Sequence, residues 1–414
     1  MKVLVLGGGV IGVTTAYFLL QDGHEVTVVE RHEGLADETS FANAGLIAPG
    51  HAYTWASPKA PGILLRSLFR PDQALQLRLK ADPALWAWGL RFLANCTSEK
   101  VAVNTARKVR LCLYSQNLLR QLVRETEVEY DARDGGLLYL YRSPAAFEAA
   151  VAKMAILVDN GLPLQAIDPT QAARIDPALT GVRDRLAGAV YAPSDESGDA
   201  HLFTRRLGAW CAERGVVFRT GTTIERIETE GDRVTGVATS AGRLTADSYV
   251  LALGCHSVAM ARPLAVRLPI YPVKGYSATL PVGAQANAPA VGGLDEERLV
   301  AYAPMGERLR VTAIADFAGY DLRHRPADFR GMLNAMRELF PDAADYDRPS
   351  YWACLRPMTP EGTPLYGTAR HRNLVFNVGH GHMGWTMAAG SGRIAADLVA
   401  GRTPGLPLDG MQVR

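Results

Sequence analysis

No stretch of the 414-residue chain is apolar for long enough to span a bilayer, which takes about 20 residues. The cysteines (Cys96, Cys112, Cys211, Cys255 and Cys354) are odd in number, scattered and without C-x-x-C spacing. That argues against structural zinc and a disulfide framework, and suits a reducing compartment. Excess charge of one sign is missing too. Lys and Arg total 44 against 42 Asp and Glu, a net +2, so no broad basic field invites nucleic acid. Repeats and low-complexity tracts are absent. Lys2 and the apolar residues after it superficially resemble a secretory signal, but three consecutive glycines are poor in a helical signal core. The remaining composition, 48% hydrophobic and 21% charged, suits one large core or two medium ones.

What the chain does have is glycine in two telling places. Lys2 to Leu6 is a short apolar run suited to a buried parallel strand. It runs into Gly7-Gly8-Gly9-Val10-Ile11-Gly12, a G-x-G-x-x-G spacing. Gly7 permits the tight turn, Gly9 lets backbone approach a pyrophosphate, and Gly12 allows close helix–strand contact. A helix from about Val10 to Gln21 follows, capped near Gly23, then a strand from His24 to Val29 with Glu30 at its end. A carboxylate there accepts from both hydroxyls of an adenosine ribose. Strand, glycines, helix, strand and acid in this order predict a βαβ nucleotide cradle. The second place is Gly379-His380-Gly381-His382-Met383-Gly384, between a strand at Asn373–Val378 and a helix from about Trp385 to Ala400. Such a helix start offers backbone N–H groups to an anion.

Between these ends, Thr39 to Gly45 carries small and hydroxyl side chains that suit either a phosphate or flavin edge, or a helix N-cap at Thr39 or Ser40. His51, Tyr53 and Trp55 alternate, so that they either face a pocket or pack. Leu64 to Cys96 sets Arg66, Arg70, Arg78 and Lys80 beside Trp86, Trp88 and Phe92. It reads first as paired amphipathic helices on the core, and second as a basic, aromatic surface for a membrane or redox partner. Helices are predicted over Val101–Thr126 and Pro144–Asn160, and strands over Gly136–Tyr141 and Gly188–Tyr191. Asp199 caps a helix at Ala200–Arg214, and a β-meander closes on a buried strand at Ser248–Gly254. Leu268–Leu280 and Leu299–Ile314 read as strands, and Tyr351–Gly367 is too proline-interrupted for a central one.

With these residues in view, the chain resembles the D-amino-acid-oxidase/glycine-oxidase-type FAD oxidoreductases, most closely their D-amino acid dehydrogenase (small subunit) branch. Besides the glycine turns, the resemblance rests on Glu38-Thr39-Ser40, Asp195 to Thr204, Tyr271 to Ser277, Leu355-Arg356-Pro357-Met358-Thr359-Pro360-Glu361-Gly362-Thr363-Pro364 and Gly390-Ser391-Gly392. It implies an α/β (α+β overall) fold: a Rossmann-type FAD-binding domain at 1–55, 186–265 and 365–414, and a discontinuous substrate domain on a mixed β-sheet at 56–185 and 266–364. FAD contacts are implied at Gly7, Gly9, Val10, Ile11, Gly12, Glu30, Arg31, Ser40, Asn43, Ala44, Gly45, Leu46, Ile224, Gly254 and from Gly379 through His380, Gly381, His382, Met383, Gly384 and Trp385 to Thr386. The implied reaction oxidises the amine of a free D-amino acid to 2-oxo acid and ammonia, with electrons leaving to a quinone or other respiratory acceptor. The implied location is cytoplasmic, peripheral on the inner face of the cell membrane. D-proline or cis-4-hydroxy-D-proline oxidation, glycine or sarcosine oxidation, and a non-catalytic flavin subunit stand as alternatives.

Arg356 is the expected carboxylate fork and Tyr276 a second contact. Tyr53 and His51 stand at the pocket mouth, His51 assisting amine deprotonation, and Arg310 either binds substrate or braces its strand. His380 and His382 lack the partners of a metal site. The chain departs from the family pattern at His51, where another aromatic is expected. It departs also at His382-Met383, commonly Thr-Leu, and at Thr312-Ala313, commonly a glycine pair.

Overall fold

The computed structural model describes residues 1–67, 75–77, 81–284 and 286–413. Arg70, Arg78 and Lys80, and the side chain of Arg66, lie outside the described set. The apolar run Lys2–Leu6 becomes a strand buried from Val3 onward, at the heart of a six-stranded sheet. The order across that sheet is 365–368, 374–378, 248–251, 2–6, 25–29, 217–219. All neighbours are parallel except the first pair. Val3 faces Ser248 and Tyr249 faces Leu374, so the strand at Ser248–Leu251 is the expected return to the nucleotide sheet. The helices Val10–Gln21, Ala200–Ala212 and Gly384–Val399 cover one face through Val13, Phe203, Leu207 and Ala388. The meander covers the other, setting Ile227, Val234 and Val237 against Leu4, Leu6 and Leu251. Gly23 ends the first helix at φ +76, its N–H on the Leu20 carbonyl at 2.9 Å. Asp199 caps the second by accepting from His201 and Leu202.

A second, nine-stranded mixed sheet runs 350–358, 271–281, 308–316, 300–305, 292–295, 137–141, 188–192, 165–167, with Leu75–Gln76 beside Ala315–Asp316. One face packs on Phe329, Met332, Met336, Leu179 and Val182. Three expectations change here. Gly188–Ala192 pairs with Leu137–Tyr141, so the nucleotide half does not resume at 186 but after Ala192, where Glu196–Ser197 pairs with Leu46–Ile47. A short run of small apolar residues suits either sheet, and only its partner decides. Leu299–Ile314 is two strands with a turn at Gly306 (φ +56). No helix begins at Thr39 or Ser40; residues 38–43 are turn and bend. At the start of the proline-interrupted stretch Tyr351–Gly367, Ser350–Met358 with its one proline, Pro357, is a strand at the sheet's edge, where a missing N–H costs no ladder bond on the open side.

The helix Ser98–Thr126 belongs to the second half by sequence but packs along Gly384–Val399, with Leu119 and Leu122 in the nucleotide core. The helices Ala60–Ser67 and Pro83–Ala94 split their apolar residues. Leu85, Trp88 and Phe92 pack on Tyr271, Val273 and Phe317. Ile63, Leu65, Trp86, Leu90 and Leu93 stay exposed, Leu90 at 71%.

Candidate functional site

A cavity of about 1440 Å³ takes its walls from both sheets. At the glycine end, Gly7 turns at φ +114 and Gly9 precedes the first helix, which has no side-chain cap and no acidic residue in its first turn. Its positive end therefore faces the cavity without a cap from its own first turn. Ser40 Oγ accepts from Val10 N at 3.1 Å. Glu30 stands at the end of its strand, with one carboxylate oxygen on Gly8 N (2.8 Å) and the other on His32 N (3.0 Å). Arg31 pairs with Glu38. Asn43, Ala44, Gly45, Leu46, Ile224 and Gly254 also line this part. Gly12 and Gly379 are not in the wall. A Cβ on Gly12 would lie 1.8 Å from the Gly7 carbonyl oxygen, and Gly379 turns at φ +80. Gly12 thus shapes the cradle from behind. Gly12→Ala should weaken flavin retention by roughly 100-fold, because neither backbone can give way. Flavin absorbance per purified chain checks it; a full flavin complement in the variant would refute it.

At the opposite wall the short turn Gly381–Met383 opens the helix Gly384–Val399 toward the cavity. Thr386 Oγ1 ties this helix to the first half, accepting from Ala48 N (3.1 Å) and donating to Leu46 O (3.3 Å). Burial pushes the His380 imidazole down to about 3 and His382 well below the usual histidine range, so both are neutral. The His382 ring stacks on Trp55 at 4.8 Å.

A further stretch of the wall belongs to Arg356. Its Nη1 donates to the Ile314 carbonyl at 2.7 Å, and the guanidinium lies over Gly275, where a Cβ would meet it at 2.5 Å. No carboxylate pairs with it among the described residues, and burial lowers its pKa. Ile314 itself sits at φ +67, a left-handed conformation that costs a β-branched residue about 1–3 kcal/mol. That strain delivers a carbonyl to the fork.

His51 ends a short turn at Pro49–His51, its Nε2 at 3.0 Å from Glu296 Oε1 and its ring stacked on Tyr139 at 5.3 Å. Tyr139 donates to Asp195 at 2.7 Å, and Asp195 also accepts Gly50 N at 2.9 and 3.0 Å. Burial raises the Asp195 carboxyl to about 7. Tyr53 lines the cavity beneath Lys153 Nζ, 3.7 Å from its ring centre. Its carbonyl accepts at 2.6 Å from Lys108, a fully buried amine that desolvation lowers to about 8.

Tyr276 is among the cavity-lining residues, while its ring packs against Phe329 and its hydroxyl lies 3.2 Å from Asp316. Arg310 is buried outside the cavity wall and donates to the Asn43 carbonyl at 3.0 Å; it braces the 38–45 loop. Tyr139, Glu296, Lys153, Lys108 and Asp195 were not anticipated as part of the site. They come from five separate segments, and no local spacing joins them.

The donor set suits a dinucleotide that carries a flavin. A carboxylate marks one end, two helix starts offer N–H groups, and Gly9 leaves room, with the nearest atom to a Cβ at 3.5 Å. The family model described as FAD dependent oxidoreductase (DAO) matches residues 2–398. The chain is 49% identical over 414 residues to a D-amino acid dehydrogenase of Paramagnetospirillum magneticum, covering 100% of this chain and 98% of the relative. It is 44% identical to D-amino acid dehydrogenase 2 of Mesorhizobium japonicum, covering 99% of each. Among solved structures, glycine oxidase from Geobacillus kaustophilus shares the fold at TM-score 0.76 and 20% identity, covering 100% of this chain and 98% of that one. L-Proline dehydrogenase from P. horikoshii does so at TM-score 0.74 and 19% identity, covering 100% and 96%. The chain belongs to the FAD-dependent oxidoreductase (DAO) family.

Proposed function

We propose that the chain catalyses FAD-dependent oxidative deamination of free D-amino acids. One observation carries this reading: a half-buried guanidinium, Arg356, lines the cavity without a carboxylate partner among the described residues. A free α-carboxylate supplies that partner, and the fork holds it by two parallel bonds. The names of the full-length relatives support the D-configuration. FAD would be held by Gly7, Gly9, Glu30, Ser40 and the two helix starts, and would supply a hydride acceptor. The helix start at Gly384 would offer its backbone N–H groups to negative charge on the bound group. Trp55 stacked on His382 forms a flat wall that also suits a pyrrolidine ring, which favours D-proline or cis-4-hydroxy-D-proline as the second reading.

Anaerobic mixing with D-alanine, D-proline, cis-4-hydroxy-D-proline and their L-forms tests both. D-Alanine bleaches the flavin under the first reading, the cyclic acids selectively under the second. If none bleaches it, the substrate class is wrong.

Electrons then pass to a quinone or another respiratory acceptor, with the protein peripheral on the inner face of the cell membrane. The exposed Leu65, Trp86, Leu90 and Leu93 support this contact. Lys59, Arg66, Arg70, Arg78, Lys80, Arg91 and Lys100 surround them in sequence against three acids, Asp72, Asp82 and Glu99, a pattern that fits an anionic lipid surface. Among the described residues no helix is long and apolar enough to cross a membrane. Replacing Trp86 and Leu90 with Asp should cut co-flotation with anionic vesicles roughly tenfold or more, while D-alanine still bleaches the flavin. Unchanged flotation would move the contact elsewhere.

A further inference from the structure

We infer that His51, paired with Glu296, takes the proton that the substrate's ammonium must lose, and that Tyr139 and Asp195 are positioning residues for it. This rests on the reading that an amino acid is held at Arg356. An ammonium nitrogen has no lone pair to push a hydride off Cα, so the amine must first be neutral. The step is a proton transfer: one N–H bond of R–CH(NH3⁺)–COO⁻ breaks and one forms on imidazole, giving R–CH(NH2)–COO⁻ and imidazolium. Bound FAD would accept the Cα–H with its electron pair, and water would hydrolyse the resulting iminium to 2-oxo acid and ammonium. The proton on His51 departs to solvent, to which its side chain is 30% exposed.

The other groups in the wall suit this role less. His382 shares its surroundings with Lys108, His51 and Arg356, three groups that disfavour another positive charge. His380 is enclosed. Burial pushes the Tyr53, Tyr139 and Tyr141 hydroxyls up, so they stay protonated. Glu297 is occupied by the Arg142 and Ser143 backbone N–H groups, both at 2.6 Å. Lys153 is itself a cation. His51 instead has a carboxylate 3.0 Å from Nε2, a counter-charge for the proton it gains.

The ring is fixed from several sides. Tyr139 from the strand 137–141 stacks on it, and Tyr53 meets it edge-on at 6.0 Å. Asp195 grips the preceding Gly50, where a Cβ would lie 2.6 Å from its carboxylate oxygen. The charged and titratable groups around His51 are therefore Glu296, Tyr139, Tyr53, Asp195, Lys153, Lys108 and His382.

The experiment follows flavin reduction by D-alanine under anaerobic conditions across pH in the wild type, His51→Phe, His51→Ala and Glu296→Gln. Each variant is first shown to keep its flavin spectrum. We expect His51→Phe to be roughly 100-fold slower near neutrality, with the deficit closing as rising pH supplies neutral amine. Added imidazole should restore His51→Ala, and Glu296→Gln should be roughly 10-fold slower with the same recovery at high pH. A deficit that is constant with pH and insensitive to imidazole would make His51 structural and overturn the inference. So would wild-type rates in His51→Phe. A wild-type flavin that no amino acid bleaches would remove the substrate reading as well, and is distinguished by appearing before any substitution is made.

Discussion

Arg356→Lys lowers kcat/KM for a D-amino acid by roughly 1,000-fold, most of it through KM. Lysine keeps the charge but loses the fork. In the native site Nη1 is committed to the Ile314 carbonyl, which leaves the rest of the guanidinium edge to meet a carboxylate. Two charge-assisted bonds at about 1.5–3 kcal/mol each cannot both be rebuilt by a single ammonium. The Ile314 carbonyl is then also left without its donor. Arg356→Met removes the charge as well and should fall further. Both variants should keep flavin, because Arg356 takes no part in the glycine cradle. Steady-state kinetics with a dye acceptor, alongside flavin content, separates these effects. An unchanged KM would mean that the substrate carboxylate binds elsewhere.

Asp195→Asn removes a pH dependence of stability worth about 4 kcal/mol. Burial raises the Asp195 carboxyl from 3.8 to about 7. Between those values the folded protein holds a proton that the unfolded chain releases, so stability from this group falls as pH rises. The contribution is fully present below about pH 4 and is lost as pH rises through about 7. Denaturant midpoints between pH 4 and 7 should slope downward in the wild type, and the slope should flatten in the variant. Buried Lys108 acts in the next window: its amine is lowered from 10.5 to about 8, so stability from it rises between those values. A wild-type slope retained in Asp195→Asn would assign the effect to another group.

The nucleotide half was legible because its chemistry is contiguous. Strand, Gly7 to Gly12, helix and Glu30 occupy thirty residues, and their order alone fixes which groups meet. Arg356 was legible through its motif, and its cavity-facing position follows from alternation along the strand 350–358. Alternation also sets the Tyr276 ring: next to Gly275 in sequence, it packs on Phe329 at the other face of the strand while the residue still borders the cavity. The boundary at 186 was misread for a different reason. Gly188–Ala192 has the same small apolar texture as the nucleotide strands, and its membership depends on Leu137–Tyr141, some fifty residues earlier. Asp195, Tyr139, His51 and Glu296 are brought together by tertiary packing alone, and nothing in their local sequences points to one another.

The six-stranded sheet bears on how the protein comes into being. Lys2–Leu6 gains its inner neighbour only with Ser248–Leu251, and that strand gains its own only with Leu374–Val378, so the middle of the sheet is completed across very long sequence separations. Contacts of such long sequence separation carry a loop-closure cost before they yield any stabilisation, and they slow folding. Until then Val3 to Leu6 is an apolar strand with an open edge, the kind of segment that pairs with its own copies. A chain stopped before Leu374 would keep nearly all of the glycine loop and its helix yet lack the strand and the helix that close the sheet over them. Recovery of soluble, flavin-bearing protein should therefore depend on complete synthesis, and neither half should fold when expressed as a continuous fragment.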